Sequence, residues 1–405
     1  AAMDYAVEQG YKKIVFNKGE YAIDPAKCPI LIPSNLQVDF SDSQIYTPTT
    51  SPTNTYTVFS CHNVKNVRFT NAHIHGENYK GSHFHKEGNI LFNIDRACEN
   101  ITVENSSFTH CPGFNFNLGY GPNWPIIGFR LNNIEAGSIS DSGVNDDINT
   151  TNHFRSIDFI DISNLPGTDF GLGNMQGYQG YSYMTSRLYN IYFYDANKSF
   201  LSVKKWCVQY QVYARPKNAK YCKIMFFQEN MPTTCDPDYQ SIAHLYNVEN
   251  PKHIHITRCQ LEQNVSCGLS PQGGRHLVVS DCDFINNGHI DPSSQIDWED
   301  GRIHMQGHVI RRNRFINTTS YTCQIVSTAS RDISFHDNYV ERCPYRIGAE
   351  AQNTRTFRNV FKKCGINYNN KADCVFIGNT YTQEPTFGTP QGGTLMKYNN
   401  KLLDN

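Results

Sequence analysis

The amino-acid sequence predicts an all-β protein whose fold is a parallel β-helix, a solenoid with one coil per repeat. A short pattern recurs in which two apolar residues alternate with polar ones, for example in NVRFTNAHI (66–74) and HIHITRCQL (253–261). Alternation with a period of two is typical of strands. Towards the C-terminus the last apolar residue of the pattern returns every 20 to 31 residues, at Leu261, Phe284, Phe315, Val340, Phe361 and Tyr381. Repeats of this length indicate a solenoid, and no long stretch has the 3.6-residue period of a helical one.

A second register of small and polar residues supports the stacking of coils. The position two residues before the last apolar one is occupied by Ser106, Cys259, Cys282, Asn313, Asn338, Asn359 and Asn379. Equivalent residues of neighbouring coils lie about 4.8 Å apart in a sheet, so their side chains can hydrogen-bond along the stack. We therefore expect an asparagine ladder at one bend of each coil.

The fourteen cysteines are scattered along the chain, and some of them fall at fixed positions of the repeat. Cys111, Cys343 and Cys364 each lie three residues after the last apolar position of a coil, and no C-x-x-C motif occurs. We predict buried thiols that act as small apolar side chains. The alternative, a disulfide framework, is typical of short secreted chains.

The predicted β-helix occupies residues 1–385, and residues 386–405 form a C-terminal tail or cap. A short helix at about residues 1–10 caps the first coil, and long loop inserts interrupt later coils. A solenoid lengthens along one axis, so the 405 residues need no division into separate globular cores. The first residues lack both a signal-peptide pattern and an initiator Met, which suggests a processed or cut chain.

Composition and motifs argue against several classes of function. The net charge of -1, without a basic stripe, argues against a nucleic-acid partner. No apolar run approaches the roughly 18 residues of a membrane span, so membrane insertion is not expected. The sequence has no Walker loop, dinucleotide fingerprint or H-E-x-x-H motif, and we therefore predict neither a cofactor nor a metal site.

A dense acidic cluster lies in SQIDWEDGRIHMQG (294–307), within a chain otherwise poor in charge. If this segment is a strand, Ile296 and Trp298 point into the coil while Asp297 and Glu299 point outward. The two carboxyl groups would then be about 5 to 9 Å apart, which includes the geometries of retaining and inverting glycosidases. Asp297 and Glu299 are therefore the predicted catalytic pair.

Three further residues complete the predicted catalytic group. Asp300 begins a turn, Arg302 can keep one carboxylate ionised, and His304 can titrate near neutral pH. The insert NNGHIDPSSQ (286–295) precedes this group, and inserts in solenoids commonly build the binding face. The alternative is a solvated acidic corner, in which Arg302 forms a surface ion pair of little energetic value.

Asp146 and Asp147, near Asp141 and Arg130, are predicted to bind substrate. Adjacent acids on a strand face opposite sides, so the two can act together only on a loop. The alternative is an Asp-rich turn without a role in binding.

Aromatic residues are dense in two nearly uncharged tracts, 113–125 and 171–194. Tyr and Trp supply contact area at a low entropic cost, which suits adaptable recognition surfaces. The predicted sugar-binding residues in these tracts are Trp124, Tyr178, Tyr181 and Tyr183. The alternative is that these rings pack loops against the β-helix.

Two stretches resemble known families. The segment AMDYAVEQGYKKIVFNKGEYAI (2–23) resembles the opening of pectate-lyase-superfamily proteins, and the Asn row resembles their ladder. The motif IDWEDG…MQGHVIRRNRF is similar to tail spikes and appendages of phages and prophages that infect Gram-positive bacteria. The resemblance implies a right-handed, single-stranded parallel β-helix, a homotrimer and a place in the virion tail. The sequence has no clear copy of the calcium-lyase aspartates or the polygalacturonase motifs.

We therefore expect a tail-spike-like depolymerase of glycoside hydrolase or polysaccharide lyase type, which cleaves a bacterial surface polysaccharide or wall teichoic acid. Asp297 and Glu299 would act as acid and base, or as nucleophile and acid, and Arg302 would orient a carboxylate or an anionic substrate. One alternative is a non-catalytic receptor-binding or structural tail fibre. Another is a secreted pectate-lyase-like enzyme. This functional expectation rests partly on analogy of fold.

Overall fold

The computed structural model describes most of the chain. The described residues are 2–24, 28–47, 55–80, 85–86, 88–119, 127–147, 152–165, 169–173, 175, 184–209, 211–235, 241–248, 251–290, 294–298, 305–318, 321–325, 330–347, 351–368, 373–383, 385, 387 and 394–403. They belong to two compact units, one formed by residues 1–121 and 250–405 and the other by residues 122–249.

The first unit is a parallel β-helix preceded by a short helix, Ala2–Glu8, within the predicted range. A 3-10 helix follows later in the chain at Glu77–Lys80. Most coils have a first and a second strand in one large sheet, of 22 described strands, and a third strand in another sheet, of nine. All strand pairs in both sheets are parallel, as the prediction of a parallel β-helix requires; for example, Ile254 pairs with Leu277.

The bounds of the strands follow the repeat. First strands are Lys13–Val15, Glu99–Glu104, Lys252–Thr257, Arg275–Ser280, Met305–Gln306, Val309–Arg311, Ser330–Arg331, Ser334–His336, Thr354–Phe357, Cys374–Ile377 and Leu395–Tyr398. Second strands are Glu20–Ala22, Ser107–Thr109, Gln260–Glu262, Asp283–Ile285, Arg314–Ile316, Tyr339–Glu341, Val360–Lys362, Thr380–Tyr381 and Lys401–Leu402. In two early coils a single long strand spans both positions, Gln37–Tyr46 and Lys65–His75. Third strands are Ile30–Leu31, Thr57–His62, Ile90–Asp95, Phe114–Leu118, Cys267–Pro271, Ser294–Trp298, Tyr321–Ile325, Tyr345–Ile347 and Ile366–Tyr368.

The predicted repeat register is confirmed by the pairing of second strands. Leu261 pairs with Phe284 and Phe284 pairs with Phe315, and the same register continues to Tyr381. These side chains are buried, and the rings of Phe284 and Phe315 stack at 4.8 Å between centroids. Burial of one aromatic or aliphatic side chain in every coil gives the solenoid a continuous apolar interior.

The predicted asparagine ladder is also confirmed. The backbone N–H of Asn338 donates to Oδ1 of Asn359 at 2.9 Å, and Asn338 Nδ2 donates to the carbonyl oxygen of Ile310 at 3.0 Å. The same pattern connects Asn313 to Asn338 and Asn359 to Asn379. Each amide therefore satisfies backbone groups at a bend where the sheet hydrogen bonds stop.

All fourteen cysteines are free thiols, and twelve of them are buried, as the repeat predicted. In the coils that precede the asparagine ladder, thiols take its place. The N–H of Cys282 donates to Asn313 Oδ1 at 2.9 Å, and the N–H of Cys259 points at Cys282 Sγ at 3.3 Å. Burial raises the pKa of the Cys364 thiol to about 11, so this group stays protonated.

The second unit differs from the predicted continuous β-helix. Its strands are Ile127–Phe129, Ile134–Ala136, Ser138–Ile139, Asn145–Asp146, His153–Ser156, Ile160–Asp161, Asp169–Gly173, Leu188–Tyr194, Phe200–Val208, Tyr213–Ala214, Tyr221–Phe227 and Ala243–Val248. They pair antiparallel and have an apolar core of their own. The physical reason is visible in the hairpin of Leu188–Tyr194 and Phe200–Val208, whose short connection cannot make the crossover that a parallel pair needs.

The β-helix continues directly from one side of this insertion to the other. The strand Glu99–Glu104 pairs with Lys252–Thr257, and Phe114–Leu118 pairs with Cys267–Pro271. At the C-terminus, Leu395–Tyr398 pairs with Cys374–Ile377, so the predicted tail or cap at 386–405 contains one more coil. None of the helices among the described residues has the length and apolar character to cross a membrane.

Candidate functional site

Eight of the predicted site residues lie outside the described part of the chain: Trp124, Tyr178, Tyr181, Tyr183, Glu299, Asp300, Arg302 and His304. The structure therefore gives the surroundings of Asp297, Asp146 and Asp147 only. Asp297 belongs to the β-helix, and the other two belong to the inserted unit.

The strand Ser294–Trp298 has the predicted alternation. Ile296 and Trp298 belong to the apolar interior of the β-helix and have no exposed surface. Asp297, between them, points to the outer side of the coil, as alternate residues of a strand must. Asp297 is not the solvated carboxylate of the acidic-corner alternative, because its exposed fraction is 0%.

A side chain of the next coil holds the Asp297 carboxylate. Asp297 pairs in register with Gln324, whose Nε2 donates to Oδ1 of Asp297 at 3.3 Å. Gln324 pairs in turn with Arg346, whose Nη1 donates to Gln324 Oε1 at 3.2 Å. Because a guanidinium only donates hydrogen bonds, Arg346 orients the amide so that its NH₂ group faces the carboxylate.

Arg346 is positioned by an aromatic ring as well as by the amide. Its guanidinium lies over the ring of Tyr321, 5.4 Å from the centroid. A planar cation on an aromatic face keeps a defined orientation and remains able to bind an anion at its edge. Asp297, Gln324 and Arg346 thus form a hydrogen-bonded chain across three coils, with a negative group at one end and a positive group at the other.

This chain is one part of a longer polar row on the outer side of the nine-stranded sheet, which we call the outer polar row. In coil order its described members are Ser60, Asn93, Asn117, Ser270, Asp297, Gln324, Arg346 and Asn367. In the early coils Asn117 Nδ2 donates to Asn93 Oδ1 at 2.9 Å. This row was not predicted from the sequence; its signal is a polar residue between two apolar ones in every third strand except Ile30–Leu31, where Leu31 pairs with Ser60.

The two aspartates of the inserted unit do not form a carboxylate pair. Asp147 Oδ1 accepts from Nη2 of Arg155 at 2.5 Å, while the backbone carbonyl of Asp146 accepts from Ser138 Oγ at 3.2 Å. Arg155 is buried, and its Nε also donates to Glu135 at 2.8 Å. Asp147 therefore compensates a buried cation. A role of Asp146 and Asp147 in substrate binding stays a prediction.

No group of three His, Cys, Asp or Glu side chains within the described ranges has an arrangement that could hold a metal ion.

Comparisons with known proteins return similarities of fold only. No family model matches the chain, and no curated protein matches it. A tailspike protein double mutant of E. coli bacteriophage HK620 superimposes with a TM-score of 0.45 and 11% identity, covering 98% of this chain and 61% of the tailspike chain. Endopolygalacturonase I from Stereum purpureum superimposes with a TM-score of 0.42 and 8% identity, covering 98% of this chain and 97% of the other.

The surface adhesin PfbA of Streptococcus pneumoniae superimposes with a TM-score of 0.38 and 8% identity, covering 98% of this chain and 86% of the adhesin. This chain spans about three fifths of the length of the tailspike that it matches. At these levels of identity the assignment of the fold rests on the strand register described above.

Proposed function

We propose that this protein binds and cleaves a bacterial cell-surface glycopolymer, either a polysaccharide or a wall teichoic acid, along the outer polar row. The observation that carries the proposal is the hydrogen-bonded chain of Asp297, Gln324 and Arg346 on successive coils. It brings a carboxylate, an oriented amide and a guanidinium into one line.

The spacing of this line suits an extended polymer. Successive coils of a β-helix lie about 4.8 Å apart, so the partly exposed members of the row offer hydrogen-bonding groups at this interval in two stretches: Asn93 and Asn117, and Gln324, Arg346 and Asn367. Ser60, Ser270 and Asp297 lie in the same row but are buried. A linear glycan presents hydroxyl groups at comparable intervals and needs such partners when its water is displaced. Arg346 adds a site for a carboxylate or phosphate group of an acidic polymer.

In the proposed reaction Asp297 and Glu299 are the paired carboxylates, as acid and base or as nucleophile and acid. Asp297 is supported by its fixed position on the outer side of the strand and by the amide of Gln324. Glu299 is supported by its spacing of two residues from Asp297 in the sequence. Asp300, Arg302 and His304 are proposed to assist the pair, with Arg302 orienting a carboxylate or an anionic unit of the substrate.

The proposed biological setting is a phage or prophage tail, in which a homotrimer attaches to the host cell. Trp124, Tyr178, Tyr181 and Tyr183, together with Asp146 and Asp147, are proposed to bind the polymer. Sedimentation of the purified chain at the mass of one protomer would contradict the trimer.

A non-catalytic receptor-binding fibre is the second candidate, and one observation favours it. Asp297 has no exposed surface, whereas a catalytic carboxylate must reach its substrate. A binding protein needs the outer polar row and the aromatic residues but no accessible acid.

The proposal is tested by incubating the protein with purified capsular polysaccharide and with wall teichoic acid and following polymer length by size-exclusion chromatography. We expect shortening of one polymer, and losses of about 100-fold or more in rate for Asp297→Asn and for Glu299→Gln. Asp283→Asn is the matched control, because Asp283 is a partly exposed carboxylate in the second strand of the same coil that pairs with Arg314.

The outcomes separate the two candidates. Undiminished cleavage by both the Asp297 and the Glu299 variants would rule out the proposed pair. Retention of a polymer without any change in its length would favour the receptor-binding fibre.

A further inference from the structure

An exposed tryptophan lies on the inserted unit, at a position that the sequence analysis did not consider. Trp206 is near the end of Phe200–Val208, the strand at one edge of the six-stranded sheet in the described part of this unit. Its exposed fraction is 62%, whereas Trp298 has none. A Trp side chain normally buries most of its large apolar surface, so this exposure requires an explanation.

The backbone at Trp206 adopts a conformation that a large side chain disfavours. Its φ is +56°, in the left-handed region. The other described non-glycine residues with positive φ are all Asn, Asp, Ser, Gln, Arg, Lys or His, so Trp206 is the one exception among them. An unfavourable conformation of this kind persists where the surrounding structure holds it, and it is concentrated at functional positions.

A β-bulge holds this conformation. Tyr189 pairs with Cys207 and Ile191 pairs with Lys204, so Lys205 and Trp206 together oppose the single residue Asn190. The side chain of Asn190 is buried, and its Oδ1 accepts a hydrogen bond from the Trp206 N–H at 2.8 Å. Bulges of this type re-aim a side chain, and here the bulge directs the indole across the neighbouring strand.

The indole is fixed on one face and open on the other. It stacks on the ring of Phe227 with 4.6 Å between centroids and an interplanar angle of 18°. Phe227 is held in turn by the edge of His153, at 5.1 Å. With one face against Phe227, the 62% exposure of Trp206 leaves the second face accessible as a rigid, flat apolar surface.

Exposed lysines precede the ring in its strand. Lys205 Nζ pairs with Asp141 at 2.6 Å, and Lys204 Nζ lies over the ring of Tyr213, 5.8 Å from its centroid. A protein interface needs a contiguous apolar patch of a few hundred Å², and one exposed ring on such a strand is not one. The combination fits a pyranose, whose C–H face contacts the negative face of an aromatic ring while its hydroxyl groups reach polar neighbours.

We propose that Trp206 is a sugar-stacking platform, which binds one pyranose unit of the polymer and holds the polymer without taking part in its cleavage. The chemical class of the ligand rests on the proposed function, but the site does not include the outer polar row. Phe227 and Asn190 are positioning residues of this platform, because they act through the orientation of the indole.

The test is affinity electrophoresis in gels that contain capsular polysaccharide, glycosylated wall teichoic acid, or the same teichoic acid stripped of its sugar substituents. We expect Trp206→Ala and Trp206→Asn to raise the apparent dissociation constant at least tenfold for a polymer that retards the wild type. The apparent dissociation constant of Trp206→Phe should lie between those of these two variants and that of the wild type. Stripped teichoic acid should retard the wild type and the Trp206 variants equally.

Two controls make the result specific. Trp206→Asn should keep the fold, because Asn adopts positive φ readily, and its melting curve by circular dichroism checks this. Leu201→Ala removes an exposed apolar side chain from the same strand and should leave retardation unchanged. In cleavage assays Trp206→Ala should raise the half-saturating polymer concentration and leave the saturated rate within about twofold of the wild type.

Each remaining outcome has a defined meaning. If Trp206→Ala and Trp206→Asn are both retarded as strongly as the wild type, the platform proposal is overturned and the cleavage proposal stays intact. If none of the polymers retards the wild type, both the platform proposal and the cleavage proposal are overturned. A loss of self-association in the Trp206 variants, without a change in retardation, would identify the ring as a subunit contact and overturn the platform.

Discussion

Trp298 Nε1 donates a hydrogen bond to Nδ1 of His308 at 2.8 Å, in the interior of the β-helix. His308 Nε2 lies 3.0 Å from the carbonyl oxygen of Gly274, in the preceding coil. Because an indole N–H only donates, Nδ1 of His308 accepts and Nε2 carries the proton that reaches the carbonyl. The strand that presents Asp297 on its outer side is therefore anchored from its inner side.

Replacement of Trp298 by Phe tests this anchor. The variant keeps an aromatic ring but removes the donor to His308, so we expect a loss of about 1–3 kcal/mol in the free energy of unfolding. We also expect slower polymer cleavage, because Asp297 is on the same strand. Urea titration and the chromatographic assay measure the two effects.

Thr47→Val is the matched control for the Trp298 variant. It removes another buried hydrogen bond, from Thr47 Oγ1 to the carbonyl oxygen of His75 at 2.9 Å, on a coil that carries none of the proposed site residues. It should lower stability and leave cleavage unchanged. An equal loss of cleavage in both variants would show that general destabilisation, and not the anchoring of Asp297, is responsible.

The asparagine ladder should contribute most to stability in its middle coils. Asn338→Ala removes an amide that bonds Asn313, Ile310 and Asn359, and leaves two buried backbone groups unsatisfied, the N–H of Asn313 and the carbonyl of Ile310. We expect a loss of about 3 kcal/mol in the free energy of unfolding from these two groups. Asn400→Ala, on the last coil, should cost clearly less, because Asn400 is only half-buried. Equal losses in the free energy of unfolding at both positions would contradict a larger contribution from the middle coils of the ladder.

Acid should destabilise the early coils through His75. Nε2 of His75 lies 2.7 Å from Gln44 Oε1 and Nδ1 lies 3.0 Å from Thr109 Oγ1, an arrangement that suits a neutral ring. Burial, with smaller contributions from His110 and His73, lowers the pKa of His75 from its ordinary value of 6.5 to about 4. The folded state thus binds fewer protons than the unfolded state between these values, and stability falls as the pH drops through that window.

The measurement is the urea midpoint at several pH values between 7 and 4, for the wild type and for His75→Gln. Gln retains hydrogen-bonding groups and does not titrate, so the variant should lose less stability in acid. Some loss should remain, because burial also lowers the pKa values of His255 and His276. Parallel curves for the two proteins would refute a contribution from His75.

Arg346 should support polymer cleavage through Gln324 as well as through its own charge. Arg346→Leu frees the amide of Gln324 to turn away from Asp297, and we expect at least a tenfold loss in kcat/KM. For an anionic polymer the salt dependence of binding should also weaken. Arg355→Leu, which removes an exposed guanidinium from the other sheet, is the control and should have little effect. Unchanged kinetics of the Arg346 variant would exclude the outer polar row from the site.

The repeat made much of the β-helix predictable. Alternation within each strand assigned Ile296 and Trp298 to the interior, and the recurrence of Asn338 and Asn359 at one position predicted the ladder. These inferences succeed because each coil repeats the same local environment. The period-two alternation then indicates which side chains point inward, and the fixed position of Asn relative to the last apolar residue indicates where the ladder lies.

Other features depend on contacts between residues far apart in the chain. Local alternation assigned Asp297 to the outer side of its strand but could not predict its complete burial, which depends on what packs over that side. The antiparallel pairing within residues 188–208 and the bulge at Trp206 belong to a hairpin that lies outside the repeats. The repeat pattern therefore could not predict them. The sequence by itself thus determined the fold of the β-helical unit and the inward or outward direction of the side chains in its strands. Only the tertiary structure decided which outward groups stay accessible, because accessibility depends on non-local packing that a periodic pattern does not encode.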